Sequence, residues 1–158
     1  MALKIQGNLT VDAPRADVWK ILFDPDALKQ IMNKIPGVSV ERFERKADDQ
    51  YEGAATIGVA MVKGKYEGVV TIVEQRAPEY LNLRGEGKGG GNWMGGEVAL
   101  TLADQDAKTL IAYEGTGNVS GPLASLGQRM IDTVGKQFIA NGTKALAEEL
   151  SARAKGAS

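Results

Sequence analysis

The residues able to do chemistry in this sequence are few. They are Gln137 and Asn141 near the C terminus, the acids Glu114 and Asp132, the lysines Lys63 and Lys65, and a glycine run beginning at Gly85. Gln137 and Asn141 interrupt an apolar stripe, and a carboxamide in an apolar wall can donate to a guest's carbonyl. Glu114 and Asp132 stand where a carboxylate can project toward a helix–sheet junction. Glu52, Glu67, Glu74, Glu86 and Glu97 fall on the polar phase of strands or near their ends, so no pair of acids reads as a catalytic dyad. The chain has neither histidine nor cysteine, which removes the Ser-His-Asp and Cys-His arrangements, thiolate nucleophiles and disulfides together. Gly85, Gly87 and Gly90 have dinucleotide-loop spacing, with Asp104 and Asp106 at about the distance of a ribose-binding acid. A phosphate loop must open a helix, however, whereas Val98, Leu100 and Leu102 alternate as a strand does. The run therefore reads as a curved hairpin. Trp93 and Met94 near its apex are placed to close a cavity or touch a partner, and Lys63 and Lys65 flank Gly64 as turn solvation or as an attraction for an anion.

These residues need elements to position them. In 3–11, Leu3, Ile5, Leu9 and Val11 alternate with polar residues, predicting a half-buried strand. Pro14 opens a short helix with apolar Val18, Trp19, Leu22 and Phe23. Asp24 and Pro25 start a second, ended by Ile35, Pro36 and Gly37. Strands are predicted over 38–45, 51–61, 66–75, 80–88, 94–102 and 108–119, making seven in all. Gly53, Gly58, Gly68, Gly85, Gly87, Gly95 and Gly96, in or beside them, mark bends. From Gly121 to about Lys155 the sequence predicts one long helix. Leu123, Leu126, Met130, Ile131, Val134 and Phe138 share one arc of it, and a bend or fray is expected near Asn141 and Gly142. The order strand, helix, helix, six strands, helix describes an α+β helix-grip fold, with a seven-stranded antiparallel sheet wrapped around the C-terminal helix. Such a sheet leaves space beneath the helix, the default site for an apolar ligand.

Composition narrows the partners. A 158-residue chain with 43% hydrophobic content reads as one domain, 1–158, able to bury a core without staples. The 19 basic and 20 acidic residues are scattered, leaving no footprint for nucleic acid. No window approaches 18 apolar residues and the N terminus has no signal-peptide pattern, so a cytoplasmic protein is expected.

Val11 to Pro14, Val18-Trp19, Leu22 to Pro25 with Leu28, and Ile35-Pro-Gly37 resemble the N-terminal signature of START-like, SRPBCC helix-grip proteins. More narrowly, they resemble the CoxG family of carbon monoxide dehydrogenase subunits. Lys63 to Gly68 is similar to that family's basic turn, Gly85 to Gly91 to its glycine-rich hairpin, and Leu123 to Asp132 to the start of its final helix. Val38 stands where many members have cysteine, and the chain ends at Ser158 without the linker and membrane-anchoring tail of longer members. The resemblance implies a non-catalytic accessory protein of a molybdenum-containing carbon monoxide dehydrogenase or related hydroxylase. It also implies peripheral membrane association and the carriage of quinone.

The expected ligand is an elongated apolar molecule, a quinone or lipid, with no resident cofactor or metal. Met130, Val134 and Phe138 would form the helix wall, and Met61, Tyr66, Ile72, Leu83, Met94 and Trp93 the strand side. Gln137 and Asn141 would orient the guest. Two other classes stay open at this point. One is a START-like cyclase or hydrolase using Tyr, Asp or Glu as acid and base; the other is an assembly factor that only docks.

Overall fold

The computed structural model describes residues 2–58 and 63–156, with side chains to Arg153. Met61 lies outside the described residues. β1 (Ala2–Val11) leads into α1 (Arg15–Leu22) and α2 (Pro25–Asn33). The strands β2 (Val38–Ala47), β3 (Gln50–Ile57), β4 (Gly64–Arg76), β5 (Tyr80–Gly89), β6 (Asn92–Gln105) and β7 (Lys108–Ser120) follow, and α3 (Gln128–Gly156) closes the chain. The sheet order is β1-β7-β6-β5-β4-β3-β2, antiparallel throughout. This is the predicted helix-grip architecture.

Local chemistry explains the joints. Asp24 caps α2 by accepting from the amides of Asp26 (3.1 Å) and Ala27 (3.2 Å), and Pro25 occupies the first turn, where its missing N–H costs nothing. Gly90 and Gly91, with φ of 60° and 80°, make the two-residue turn between the paired Gly89 and Asn92. Both positions of such a hairpin turn need positive φ, which glycine adopts without strain.

The long helix departs from expectation in two ways. It does not begin after Pro122. Residues Pro122–Leu126 form one 3-10 turn, bracketed by Gly121 (φ 96°) and Gly127 (φ 90°), and the α-helix starts at Gln128. Gly127 therefore breaks the helical phase that had tied Leu123 and Leu126 to the later residues. At Asn141 and Gly142, where a bend or fray is expected, the helix runs without interruption to Gly156. Gly135 is there for close packing, because a Cβ would sit 2.7 Å from the Leu3 side chain of β1.

α3 has two differently employed halves. Ala145 and Leu150 are buried with Val18 and Ile21 of α1, Ala27 and Ile31 of α2, and Val11, Leu102 and Ile111 of the sheet. This solid core closes one end of the fold. Beside it Glu149, its side chain 12% exposed, accepts from Lys34 Nζ at 2.7 Å and from Arg153 Nε at 3.0 Å, tying α2 to α3. The Lys34 hydrogen bond, helped by Arg153 and opposed by desolvation, holds the Glu149 carboxyl below its ordinary 4.5.

A depressed carboxylate stabilises the fold at pH values above its unfolded-state range and ceases to do so as pH falls through its folded value. Glu149→Gln should therefore cost about 1 to 2 kcal/mol at neutral pH. In paired thermal melts, the gap between parent and variant should narrow as pH is lowered below about 4.5. A gap that does not change with pH would show that the ion pairs contribute nothing there.

Candidate functional site: an apolar trough beneath the last helix

The inner face of the sheet is set by strand phase. Across the register, Leu3 and Ile5 of β1, Gly117 and Val119 of β7, Met94, Gly96 and Val98 of β6, and Leu83, Gly85 and Gly87 of β5 share it. Tyr66, Gly68 and Val70 of β4, Tyr51, Gly53 and Ala55 of β3, and Phe43 of β2 continue it. Glycines pair directly in two rows, Gly53–Gly68–Gly87 and Gly85–Gly96–Gly117. A band of the inner surface therefore carries no side chains.

The reasons for these glycines differ. At Gly96 a Cβ would lie 2.4 Å from the Thr116 carbonyl oxygen, and at Gly53 2.7 Å from that of Arg42, so neighbouring backbone fills that space. At Gly85 a Cβ would meet nothing within 4 Å, and at Gly87 its nearest neighbour would be the Glu67 carbonyl oxygen at 3.7 Å. Neither residue has positive φ. Strand geometry does not require glycine at Gly85 and Gly87, and what its presence there creates is empty volume above the sheet.

That volume is one trough in three connected parts. Under α3 lies a space of about 290 Å³, roofed by Ile131, Val134, Phe138 and Ile139. Leu3, Ile5, Met94 and Val119 form its floor, and Leu123 and Leu126 of the 3-10 turn stand at its side. The same Leu3, Ile5, Met94 and Val119 border a second space of about 470 Å³, floored by Gly85, Gly87, Gly96 and Gly117. Val70, Gly85 and Gly87 then continue into a third of about 240 Å³, bounded by Met32 of α2, Phe43 and Tyr66. At about 4.8 Å between strands, the trough extends roughly 25 Å from β1 to β3. No strand residue of the inner phase beside it is acidic, among the described residues.

The expected site residues divide accordingly. Val134, Phe138 and Met94 line the roofed part, Leu83 the glycine-floored part and Tyr66 the far part. Ile72 is buried in a cluster with Tyr51 and Leu81. Trp93 lies on the opposite, outer face, where its ring covers Gly95. Met130 is half-buried but not among the walls of the trough.

Gln137 is exposed and donates to Asn141 Oδ1 at 3.3 Å, so the two carboxamides engage each other along the helix instead of entering the trough. The phase break at Gly127 explains this. Once the stripe is centred on Ile131, Val134, Gly135, Phe138 and Ile139, Gln137 lies roughly 130° away and Asn141 about 90° away.

Glu114 and Asp132 border a separate groove of about 610 Å³ with Lys4, Glu97 and Thr116. It is larger than any one part of the trough, but it lies against the outer phase of the sheet, and two of its acids are engaged. Arg84 pairs with Glu97 at 2.8 Å, and Asp132 accepts from Gln128 at 2.8 Å.

The family model for CoxG, a carbon monoxide dehydrogenase subunit, matches residues 7–151, from the middle of β1 through β7 and most of α3. The chain belongs to the CoxG family. Among solved structures, a conserved protein from Geobacillus kaustophilus is 28% identical, with a TM-score of 0.84 over 96% of this chain and 95% of that one. The Zhui aromatase/cyclase from Streptomyces sp. R1128 is 16% identical, with a TM-score of 0.72 over 100% and 99% of the two chains. A START superfamily protein from Mycobacterium smegmatis is 13% identical, with a TM-score of 0.65 over 94% and 97%. The last two likenesses concern the fold. No curated protein matches the chain. Among the described residues no helix is long and apolar enough to cross a membrane.

Proposed function

We propose that this member of the CoxG family is a non-catalytic accessory protein that carries an elongated apolar molecule, a quinone, in the trough beneath α3. Its partner on this reading is a molybdenum-containing carbon monoxide dehydrogenase or related hydroxylase, and its errand is to link that enzyme to the membrane quinone pool. The observation that carries the reading is the open volume above Gly85 and Gly87, walled by Val70, Leu83, Met94 and Val119. An apolar trough of this length exposed to water is unfavourable at about 25 cal/mol per Å², and a polyprenyl or similar tail would cover it. Methionine at positions 32 and 94 suits a guest of irregular shape. Among the described residues, the inner strand phase beside the trough carries no carboxylate, which favours carriage over acid–base turnover.

Organic extraction of the purified protein followed by mass spectrometry tests the reading. A quinone recovered in near-stoichiometric amount is the expected result. An extract without any apolar molecule, from a protein that also fails to take up added quinone, would overturn it. Because Asn141 bonds to Gln137 outside the trough, Asn141→Leu should change quinone retention by less than about tenfold, the range of one hydrogen bond. A larger loss, read by the same extraction, would place the guest along the outer side of α3.

A further inference from the structure

In the roofed part of the trough every lining side chain is hydrocarbon or thioether, from Leu3 and Ile5 on the floor to Phe138 and Ile139 above it. The glycine-floored part adds Val70, Leu83 and Val98, and no hydrogen-bonding side chain of the inner phase. Glu86, Glu97 and Asn118, which border it, stand one residue out of that phase and so face the other side of the sheet, where Glu97 pairs with Arg84. Arg42 and Glu67 beside the far part are out of phase in the same way. Among the described residues bordering the trough, Tyr66 alone brings a hydroxyl to the inner face. It is 6% exposed, and its hydroxyl accepts from Asn92 Nδ2 at 3.4 Å, while Asn92 Oδ1 accepts from the Leu123 amide at 2.8 Å. That oxygen is thus turned to the joint between the hairpin and the 3-10 turn.

A site discriminates between polar heads through groups that hydrogen-bond one head and are left unpaired by another, and an apolar wall has none to offer. What such a wall does distinguish is carbon area, since each buried methylene is worth about fourfold in affinity. A carbonyl or hydroxyl carried into it would be stripped of water without a partner, which opposes its entry. Neither the glycine-floored part nor the far part is bordered by a residue of α3, so a chain whose tail lies under the helix can run out to water there.

We infer that the trough reads the chain of its guest and not the head. Its ligand class is then single-chain polyprenyl and long alkyl molecules with any neutral polar end, the tail beneath Val134 and Phe138 and the end group in water beyond the roof. This deepens the carrier reading and rests on it. An end group left in water is also within reach of a partner while the tail is still held.

The test separates head from tail. Prenyl alcohols of two, three and four isoprene units, 1,4-naphthoquinones bearing the same tails, and 2-methyl-1,4-naphthoquinone without a tail are set to displace a fluorescent dodecyl probe from the parent protein and from Gly85→Phe. At each tail length the alcohol and the quinone are expected to agree within about tenfold, the range of one hydrogen bond. Affinity should climb by at least about tenfold per isoprene unit while the chain is shorter than the trough, and the tail-less ring should bind at least about a hundredfold more weakly than the longest quinone. Gly85→Phe should weaken both series by the same factor. A quinone that outbinds its matched alcohol by more than about tenfold, or a tail-less ring that binds nearly as well as the tailed ones, would overturn the inference and leave the carrier reading standing. So would a Gly85→Phe protein that keeps either series. If the dodecyl probe and every prenyl compound fail to bind the parent, the carrier reading fails and takes this inference with it.

Discussion

Replacing Gly85 with phenylalanine is expected to abolish retention of an apolar guest in a protein that still folds. A Cβ at this position meets nothing within 4 Å, so the new ring would rise into the trough without displacing backbone. An aromatic side chain there would exclude on the order of 100 to 200 Å² of guest contact, or about 2.5 to 5 kcal/mol at ~25 cal/mol per Å². Affinity should fall by at least about a hundredfold, while the melting temperature stays level or rises as apolar surface is covered. The matched control is Gly96→Ala. A Cβ there would press on the Thr116 carbonyl at 2.4 Å, and the strand must shift, so this smaller change should lower the melting temperature. Titration and thermal melts of the two variants together separate a filled site from a damaged sheet. A Gly85→Phe protein that binds as the parent does would mean that the guest does not cross the glycine floor.

The second large effect is expected at the roof. Val134 and Phe138 lie over the enclosed part of the trough and are only half-buried, so their substitution does not gut the solid core around Leu150. Val134→Asp or Phe138→Asp sets a carboxylate against the guest's tail. The carboxylate must then lose water when the guest enters, or hold water where the tail should lie; either costs several kcal/mol. Retention through gel filtration, quantified by extraction, should drop by about two orders of magnitude for each. Circular dichroism should show the parent's helix and sheet content. Undiminished retention by both folded variants would place the guest away from α3.

Most of the fold was legible because its signals are local. Alternation located every strand, and Asp24 with Pro25 announced α2 through the cap that the structure contains. What escaped was non-local. The break at Gly127 depends on a positive φ that composition does not reveal, and it shifts the helix phase enough to turn Gln137 outward. Trp93 and Met94 are adjacent on a strand and so must face opposite ways, but which of them faces the trough is decided by pairing with Gly87 and Val119. The glycines read correctly as features of a curved sheet. Only the register shows that five of them line one band, and only the surrounding backbone shows that the band is open at Gly85 and closed at Gly96. Tyr51 shares its face of β3 with Gly53 and Ala55. That its hydroxyl lacks a partner is a property of everything packed around it.

On the carrier reading the guest lies between α3 and the glycine floor. A saturable photolabelling experiment tests this most directly, using a long-chain hydrocarbon probe with a diazirine in its tail, followed by peptide mass spectrometry with and without excess quinone. Label is expected on residues of the trough, chiefly Met94, Val134 and Phe138, and excess quinone should remove it. Label confined to the outer groove around Lys4, Glu97 and Thr116, or label that excess quinone leaves in place, would contradict that reading.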